Sequence, residues 1–246
     1  MKTYGLNLRL FTAIGCIVAA GAFAQDANSY PKVVKTSPTI GATDVDPATT
    51  ELRLEFDQAM QTGMSWTGGG DVFPKLEGKP IWETGKVCVA KVKLEAGKFY
   101  RVGVNASSYR NFKSKSGNPA EFNVLYFVTA GASDDEKAKA DKPAVSEMTP
   151  KNDAKDVDAS SVKELVVRFN RAMGGGMSWT KAGGVFPETT GKAQWNSDRT
   201  ECRLPVKLEP GKTYTLGINH PFANNFQSSW GVPVDASVWS FSTASK

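Results

Sequence analysis

Apolar and polar side chains alternate with a period of two along several short runs of this chain. In one such run Leu52, Leu54 and Phe56 share one face, while Arg53 and Glu55 lie on the other. Similar runs, separated by Gly, Pro, Asn and Asp, recur along the rest of the chain. Alternation over short segments that end at turn residues is typical of half-buried antiparallel strands. With about six or seven such strands in each half, the pattern predicts β-sandwiches.

The two halves of the chain repeat one sequence pattern. The segment ELRLEFDQAM at 51–60 is matched by ELVVRFNRAM at 164–173. The segment VKLEAGKFYRVGVN at 92–105 is likewise matched by VKLEPGKTYTLGIN at 206–219. A Met-Ser-Trp-Thr run followed by Val-Phe-Pro also occurs once in each half. A repeat of about 100 residues has the size of a single domain, which indicates a tandem of two similar domains.

The stretch between the repeats contains small and charged residues and no large apolar side chain. Such a composition is typical of a solvated linker, and we expect none of its side chains to be buried. A short helix is the most structure that we expect there. The sequence therefore predicts an all-β chain with one sandwich at 25–130, a hydrophilic linker at 131–142 and a second sandwich at 143–246.

The N-terminus has the pattern of a secretory signal peptide. A basic segment precedes an apolar run at 10–23, which ends in Ala-Phe-Ala before Gln25. The run is shorter than the span of about 20 residues that a membrane helix needs. We therefore predict a signal peptide at 1–24, a periplasmic or extracellular mature chain and no membrane span after cleavage. A lipoprotein anchor at Cys16 is the alternative.

The charge pattern argues against a nucleic-acid partner. The chain carries 30 basic and 25 acidic residues, and the two signs are interleaved rather than gathered in blocks. Interleaved charge is typical of a solvated surface, whereas nucleic-acid binding proteins concentrate basic residues on one face.

The residue types that support catalysis or metal binding are scarce. Outside the predicted signal peptide the chain has two cysteines, Cys88 and Cys202, and one histidine, His220. These do not form a metal-binding pattern, and Ala106 replaces the histidine in the first repeat. We therefore expect neither an enzyme nor a cofactor, although an acidic pair in a cleft would revive a hydrolase.

The two cysteines occupy equivalent positions in different repeats, so neither predicted sandwich can hold an internal disulfide. Free thiols and a bridge between domains or chains both remain open.

A tight turn precedes a tyrosine in each repeat, at Leu-Glu-Ala-Gly-Lys-Phe-Tyr100 and Leu-Glu-Pro-Gly-Lys-Thr-Tyr214. In immunoglobulin-like sandwiches a tyrosine at this place binds the backbone upstream of it through its hydroxyl group. We therefore predict structural roles for Tyr100 and Tyr214.

Several ordered motifs resemble the bacterial Ig-like domain found in S-layer proteins. They include FDQAM at 56–60 and FNRAM at 169–173, Gly-x-Pro at 117–119 and 231–233, and a closing Phe-x-Thr in each copy. The resemblance covers both copies. It implies immunoglobulin-like β-sandwiches that serve as an extracytoplasmic spacer, adhesion or enzyme-accessory module without catalysis.

Aromatic and asparagine residues recur in the predicted loops of both copies. The equivalent pairs are Trp66 and Trp179, Trp82 and Trp195, Asn105 and Asn219, and Asn111 and Asn225. Loop tryptophans can stack on sugar rings, and two copies would add avidity. Alternatively, the aromatic rings fill the end of each sandwich and the asparagines cap turns, which is the interpretation we favour. The expected partner is a protein or a cell-wall polysaccharide, and the oligomeric state stays open.

Overall fold

The computed structural model describes residues 29–245 and contains two β-sandwiches in tandem. The predicted signal peptide at 1–24 and Cys16 lie outside the described residues. The first sandwich contains β1 (Val33–Ser37), β2 (Ala42–Val45), β3 (Glu51–Phe56), β4 (Trp66–Thr67), β5 (Lys75–Leu76), β6 (Ile81–Trp82), β7 (Val87–Lys93), β8 (Phe99–Val104) and β9 (Asn123–Thr129). A single-turn helix, α1 (Asp134–Ala138), follows it.

The second sandwich repeats these elements. It contains β10 (Val145–Thr149), β11 (Ala154–Val157), β12 (Glu164–Phe169), β13 (Trp179–Lys181), β14 (Glu188–Thr189), β15 (Gln194–Trp195), β16 (Glu201–Lys207), β17 (Thr213–Ile218) and β18 (Ser237–Thr243). The prediction of an all-β fold with tandem immunoglobulin-like sandwiches is confirmed. Each copy has more strands than the alternation predicted, because short strands such as β5 and β6 hold only two residues each and show no periodicity.

The two sandwiches share one sheet topology. In the first, one sheet has the order β1-β3-β7-β5 with β6 also paired to β7, and the other has the order β2-β9-β8-β4. In the second, the corresponding orders are β10-β12-β16-β14 with β15 paired to β16, and β11-β18-β17-β13. The β2–β9 and β11–β18 pairs are parallel, and the long central strands pair antiparallel.

The core of the first sandwich lies between its two sheets. Leu52, Leu54 and Phe56 of β3 are buried, as their alternation predicts, and Leu125 and Phe127 of β9 pack from the opposite sheet. Each fully buried side chain of this kind contributes about 1.5–3 kcal/mol to the stability of the fold. The second sandwich has an equivalent core.

The tyrosine at the start of the β8 or β17 strand region closes a corner in each copy. The hydroxyl group of Tyr100 accepts a hydrogen bond of 2.8 Å from the backbone N–H of Glu95, and Tyr214 makes the same bond with Glu209. The turn between them includes a glycine at positive φ, +69° at Gly97. This is the contact with upstream backbone that the sequence predicts for both tyrosines.

Both cysteines are buried free thiols, one in the core of each sandwich. Burial is the main reason that the pKa of each thiol rises to about 11. A buried protonated thiol behaves as a small apolar side chain.

A third apolar cluster joins the two sandwiches. Its buried members are Phe99, Val124, Tyr126, Val128, Ala140 and Val232. The first four lie on the outer face of the β8–β9 sheet, whereas Ala140 belongs to the linker and Val232 to the second sandwich. The expectation that the linker buries nothing is therefore wrong, since Ala140 is only 7% exposed. The small side chain of Ala140 can be buried here because the first and second sandwiches supply the rest of the apolar cluster.

Candidate functional site

The two tryptophans of the repeated Met-Ser-Trp-Thr run begin equivalent edge strands, β4 and β13. Their rings are half-buried and pack towards the cores. The ring centroid of Trp66 lies 6.1 Å from that of Phe112, and Trp179 lies 5.7 Å from Phe226. Both indole N–H groups are buried, and within residues 29–245 neither has a nitrogen or oxygen acceptor. Trp66 packs against the core cluster that contains Cys88, and Trp179 packs against the one that contains Cys202.

The second pair of tryptophans completes an aromatic cluster at the same end of each sandwich. The Nε1–H of Trp82 donates to the carbonyl of Thr62 at 3.1 Å, and its ring centroid lies 5.8 Å from that of Phe56. Trp195 donates in the same way to the carbonyl of Gly175. These contacts hold loop segments against the core.

The two buried asparagines organise the loops that follow β8 and β17. Asn105 has a positive φ of +57°, and its Nδ2 donates to the carbonyls of Phe112 and Ala120 at 3.0 Å each. Its Oδ1 accepts from the backbone N–H of Phe112. Asn219 makes the equivalent bonds in the second copy. Asparagine tolerates the left-handed region better than most residues, which explains its use here.

The last predicted pair, Asn111 and Asn225, is exposed. The backbone N–H of Asn111 donates to the Ser65 hydroxyl, and that of Asn225 donates to Ser178. The predicted residues thus gather at one end of each sandwich, but the contacts of the buried ones are with the protein itself.

The two sandwiches meet in an interface that the sequence analysis did not predict. The backbone N–H of Phe122 donates to the carbonyl of Pro221 at 2.8 Å. The Phe222 ring lies 5.8 Å from Phe122 and 4.7 Å from Tyr30. Aromatic pairs at such distances contribute beyond their buried area.

Polar contacts fix the linker to both sandwiches. The Glu136 carboxylate accepts from the backbone N–H of Phe99 at 3.0 Å and pairs with Lys139. The hydrogen bond from Lys139 is the main reason that the pKa of Glu136 is lowered. On the other side, Arg171 of the second sandwich donates to the linker carbonyls of Ala138 and Asp141.

The interface encloses two clefts that share residues 122–124. One has a volume of about 350 Å³ and is lined by Tyr126, Lys142, His220 and Asp235, among others. Lys142 and Asp235 form an ion pair at its edge. The other has a volume of about 300 Å³ and contains Arg101, which donates from Nε to the carbonyl of Gly231 in the second sandwich at 3.2 Å.

A comparison of the two repeats carries the signal for this interface. Strand β9 reads NVLYFVT, whereas the equivalent β18 reads SVWSFST. The outward positions of β9 are therefore apolar, at Val124, Tyr126 and Val128. The equivalent positions in β18 include two serines. An apolar outward face on one copy alone indicates that this face is covered.

The described residues hold no group of three or more His, Cys, Asp or Glu side chains arranged for a metal ion. Asp46, in the turn before β3, accepts a hydrogen bond from the backbone N–H of Ala48 and so caps its own turn. Within 29–245 there is also no helix long and apolar enough to cross a bilayer.

Comparisons with known proteins concern the fold. No curated protein matches the chain. Among solved structures, a titin I9–I11 tandem is 11% identical, with 89% of this chain and 67% of that chain covered and a TM-score of 0.26. The N-terminal part of the bacterial S-layer protein SbsC is 15% identical over 87% of this chain, with a TM-score of 0.28. The match covers 45% of that S-layer structure, so this chain spans less than half of its length. Residues 139–243, which contain the second sandwich, match the family model of the bacterial Ig-like domain.

Proposed function

We propose that this chain is an exported, non-catalytic module of the bacterial cell envelope that acts as a stiff two-domain spacer or scaffold. Both copies would then be Ig-like domains of the S-layer-protein type. The first copy is included because its sequence repeats that of the second. The match of 139–243 to a bacterial Ig-like family supports a surface or extracytoplasmic location. The observation that carries the proposal is the apolar cluster between the sandwiches.

Stiffness follows from what the cluster and the linker do together. Val232 of the second sandwich has no exposed surface, although its neighbours in the cluster belong to the first sandwich and the linker. Opening the interface would expose this apolar surface to water, which costs about 25 cal/mol of free energy per Å². It would also break the hydrogen bonds from Arg171 to the linker. A spacer with these contacts keeps its two domains in a fixed relative orientation and does not bend at the linker.

The tryptophan-based carbohydrate platform receives less support. A stacking platform needs an open ring face, whereas Trp66 and Trp179 are half-buried, pack against the cores and have buried N–H groups. This placement favours the packing role. Truncation of Trp66 to alanine is therefore expected to lower the free energy of unfolding by about 3 kcal/mol.

The stiffness is tested by NMR relaxation and small-angle scattering of the purified protein. Both sandwiches are expected to tumble with one rotational correlation time, because they are docked. The variant Ala140→Asp places a carboxylate in the apolar cluster and should give two shorter correlation times and a larger radius of gyration. Ala48→Asp, at an exposed turn of the first sandwich, is the matched control. Independent tumbling of the sandwiches in the unmodified protein would refute the proposal.

A further inference from the structure

Arg101 is an arginine without a carboxylate partner at the junction of the two sandwiches. On the open surface, Arg53, Arg168 and Arg203 each pair with glutamates. Arg101 forms no ion pair with any of the described residues, and the one hydrogen bond of its side chain runs from Nε to the carbonyl of Gly231. Burial lowers the pKa of its guanidinium group. A half-buried cation without a counter-charge is costly, and it commonly belongs to a site for an anionic group.

The guanidinium group is held in one orientation. Gly231 has a φ of +79°, and a Cβ atom at this position would lie 2.7 Å from the Arg101 Nε. Glycine therefore allows the backbone of the second sandwich to approach the arginine. With Nε fixed in this way, both terminal nitrogens remain accessible to solvent and have no partner within residues 29–245.

The surrounding cleft offers further polar groups. Its lining residues include Asn123, Asn224 and Gln227, whose side-chain amides form no hydrogen bond with the part of the chain that the structure describes. The hydroxyl group of Thr67 donates to the carbonyl of Asn105 and can still accept a hydrogen bond. Tyr109, which is 63% exposed, stands at the rim. None of the described residues that line this cleft carries a carboxylate.

We propose that this cleft binds a carboxylated sugar residue, such as a uronic acid within an acidic polysaccharide. The two terminal guanidinium nitrogens would hold the carboxylate end-on, in a charge-assisted contact that only the anion can make. The amides, which both donate and accept, match the hydroxyl groups of the ring, and Tyr109 offers a face for stacking. A volume of about 300 Å³ is at the small end of ligand pockets, which suits a sugar residue rather than a folded partner. The inference depends on the docked sandwiches and not on the spacer role.

The test is isothermal titration of the purified protein with a short oligogalacturonide and with its methyl ester, which differs only in lacking the charge. Saturable binding is expected for the acid, with affinity for the ester lower by about tenfold or more. The variant Arg101→Thr takes the residue found at the equivalent position, Thr215, and should lose a similar factor. Lys155→Thr removes one positive charge from an exposed strand of the second sandwich and should leave the affinity unchanged.

Two further variants separate binding from docking, because Arg101 also contacts Gly231. Asn224→Ala and Gln227→Ala each remove an amide group from the cleft. Neither substitution breaks a side-chain hydrogen bond within the described residues. Both should weaken binding of the acid several-fold while the scattering profile stays unchanged. Equal affinity for acid and ester, an unchanged affinity in Arg101→Thr, or binding of an acidic peptide without binding of the saccharide would each overturn the proposal.

Discussion

The substitution Val232→Asn isolates the contact that docks the two sandwiches. Val232 is the middle residue of Gly-Val-Pro, and the first repeat has Asn118 at the equivalent place in Gly-Asn-Pro. The backbone N–H of Val232 donates to the Ser228 hydroxyl, and that of Asn118 donates to Ser114 in the same way. The loop can therefore hold an asparagine, so the effect of the substitution falls on the interface.

The magnitude follows from the burial of this side chain. Val232 is fully buried, and removing a buried valine from an apolar environment costs about 1.5–3 kcal/mol. An amide group placed in the same cluster without a partner adds about 1–3 kcal/mol. We therefore expect the interface to lose about 2.5–6 kcal/mol in total, by addition of these two costs. A loss of this size is a large share of the stability of an ordinary domain.

Calorimetry and small-angle scattering measure the result. The unmodified protein should unfold in one transition, because docking couples the sandwiches. In Val232→Asn the first sandwich should unfold separately at a lower temperature, and the radius of gyration should rise. Val238→Asn makes the same change at a site that is 59% exposed and should alter stability by less than about 0.5 kcal/mol. An unchanged thermogram and scattering profile for Val232→Asn would refute the docking argument.

Two further predictions concern the interior of each sandwich. Tyr100→Phe and Tyr214→Phe each remove a 2.8 Å hydrogen bond to a backbone N–H, and urea unfolding should show a loss of about 1 kcal/mol for each. Burial raises the pKa of the Cys88 and Cys202 thiols from 9.0 to about 11, so the folded state retains the proton more strongly than the unfolded state. The stability from this source is therefore complete below pH 9.0 and is lost as the pH rises towards 11. Denaturation at rising pH should show a smaller decline in a Cys88→Ala/Cys202→Ala variant, and an equal decline would exclude the thiols as its cause.

The fold was predictable because its signals are local. Alternation at Leu52, Leu54 and Phe56 depends only on which face of one strand meets the core, and the repeat doubled each signal. The corner at Tyr100 was predictable for the same reason, since its partner Glu95 lies five residues away in the chain.

The placement of the tryptophans and the interface depended on contacts between distant segments. A loop tryptophan such as Trp66 has the same sequence context whether its ring faces solvent or the core. The position of Arg101 beside Gly231 joins residues 130 apart in the sequence, which no local pattern encodes. The one available signal was a difference between the copies, since Tyr126 in β9 is replaced by Ser240 in β18.

This difference between the copies has a consequence for the order in which the protein is made. Synthesis proceeds from the N-terminus, so the first sandwich is complete before its cover exists. Its face with Phe99, Tyr126 and Val128 stays bare until the segment around Val232 has been added. During that interval the nascent chain has an exposed apolar surface to which chaperones and other nascent chains can bind. The second sandwich has serines at two of the equivalent positions in β18, so a chain interrupted between the copies would expose more apolar surface than the second copy by itself.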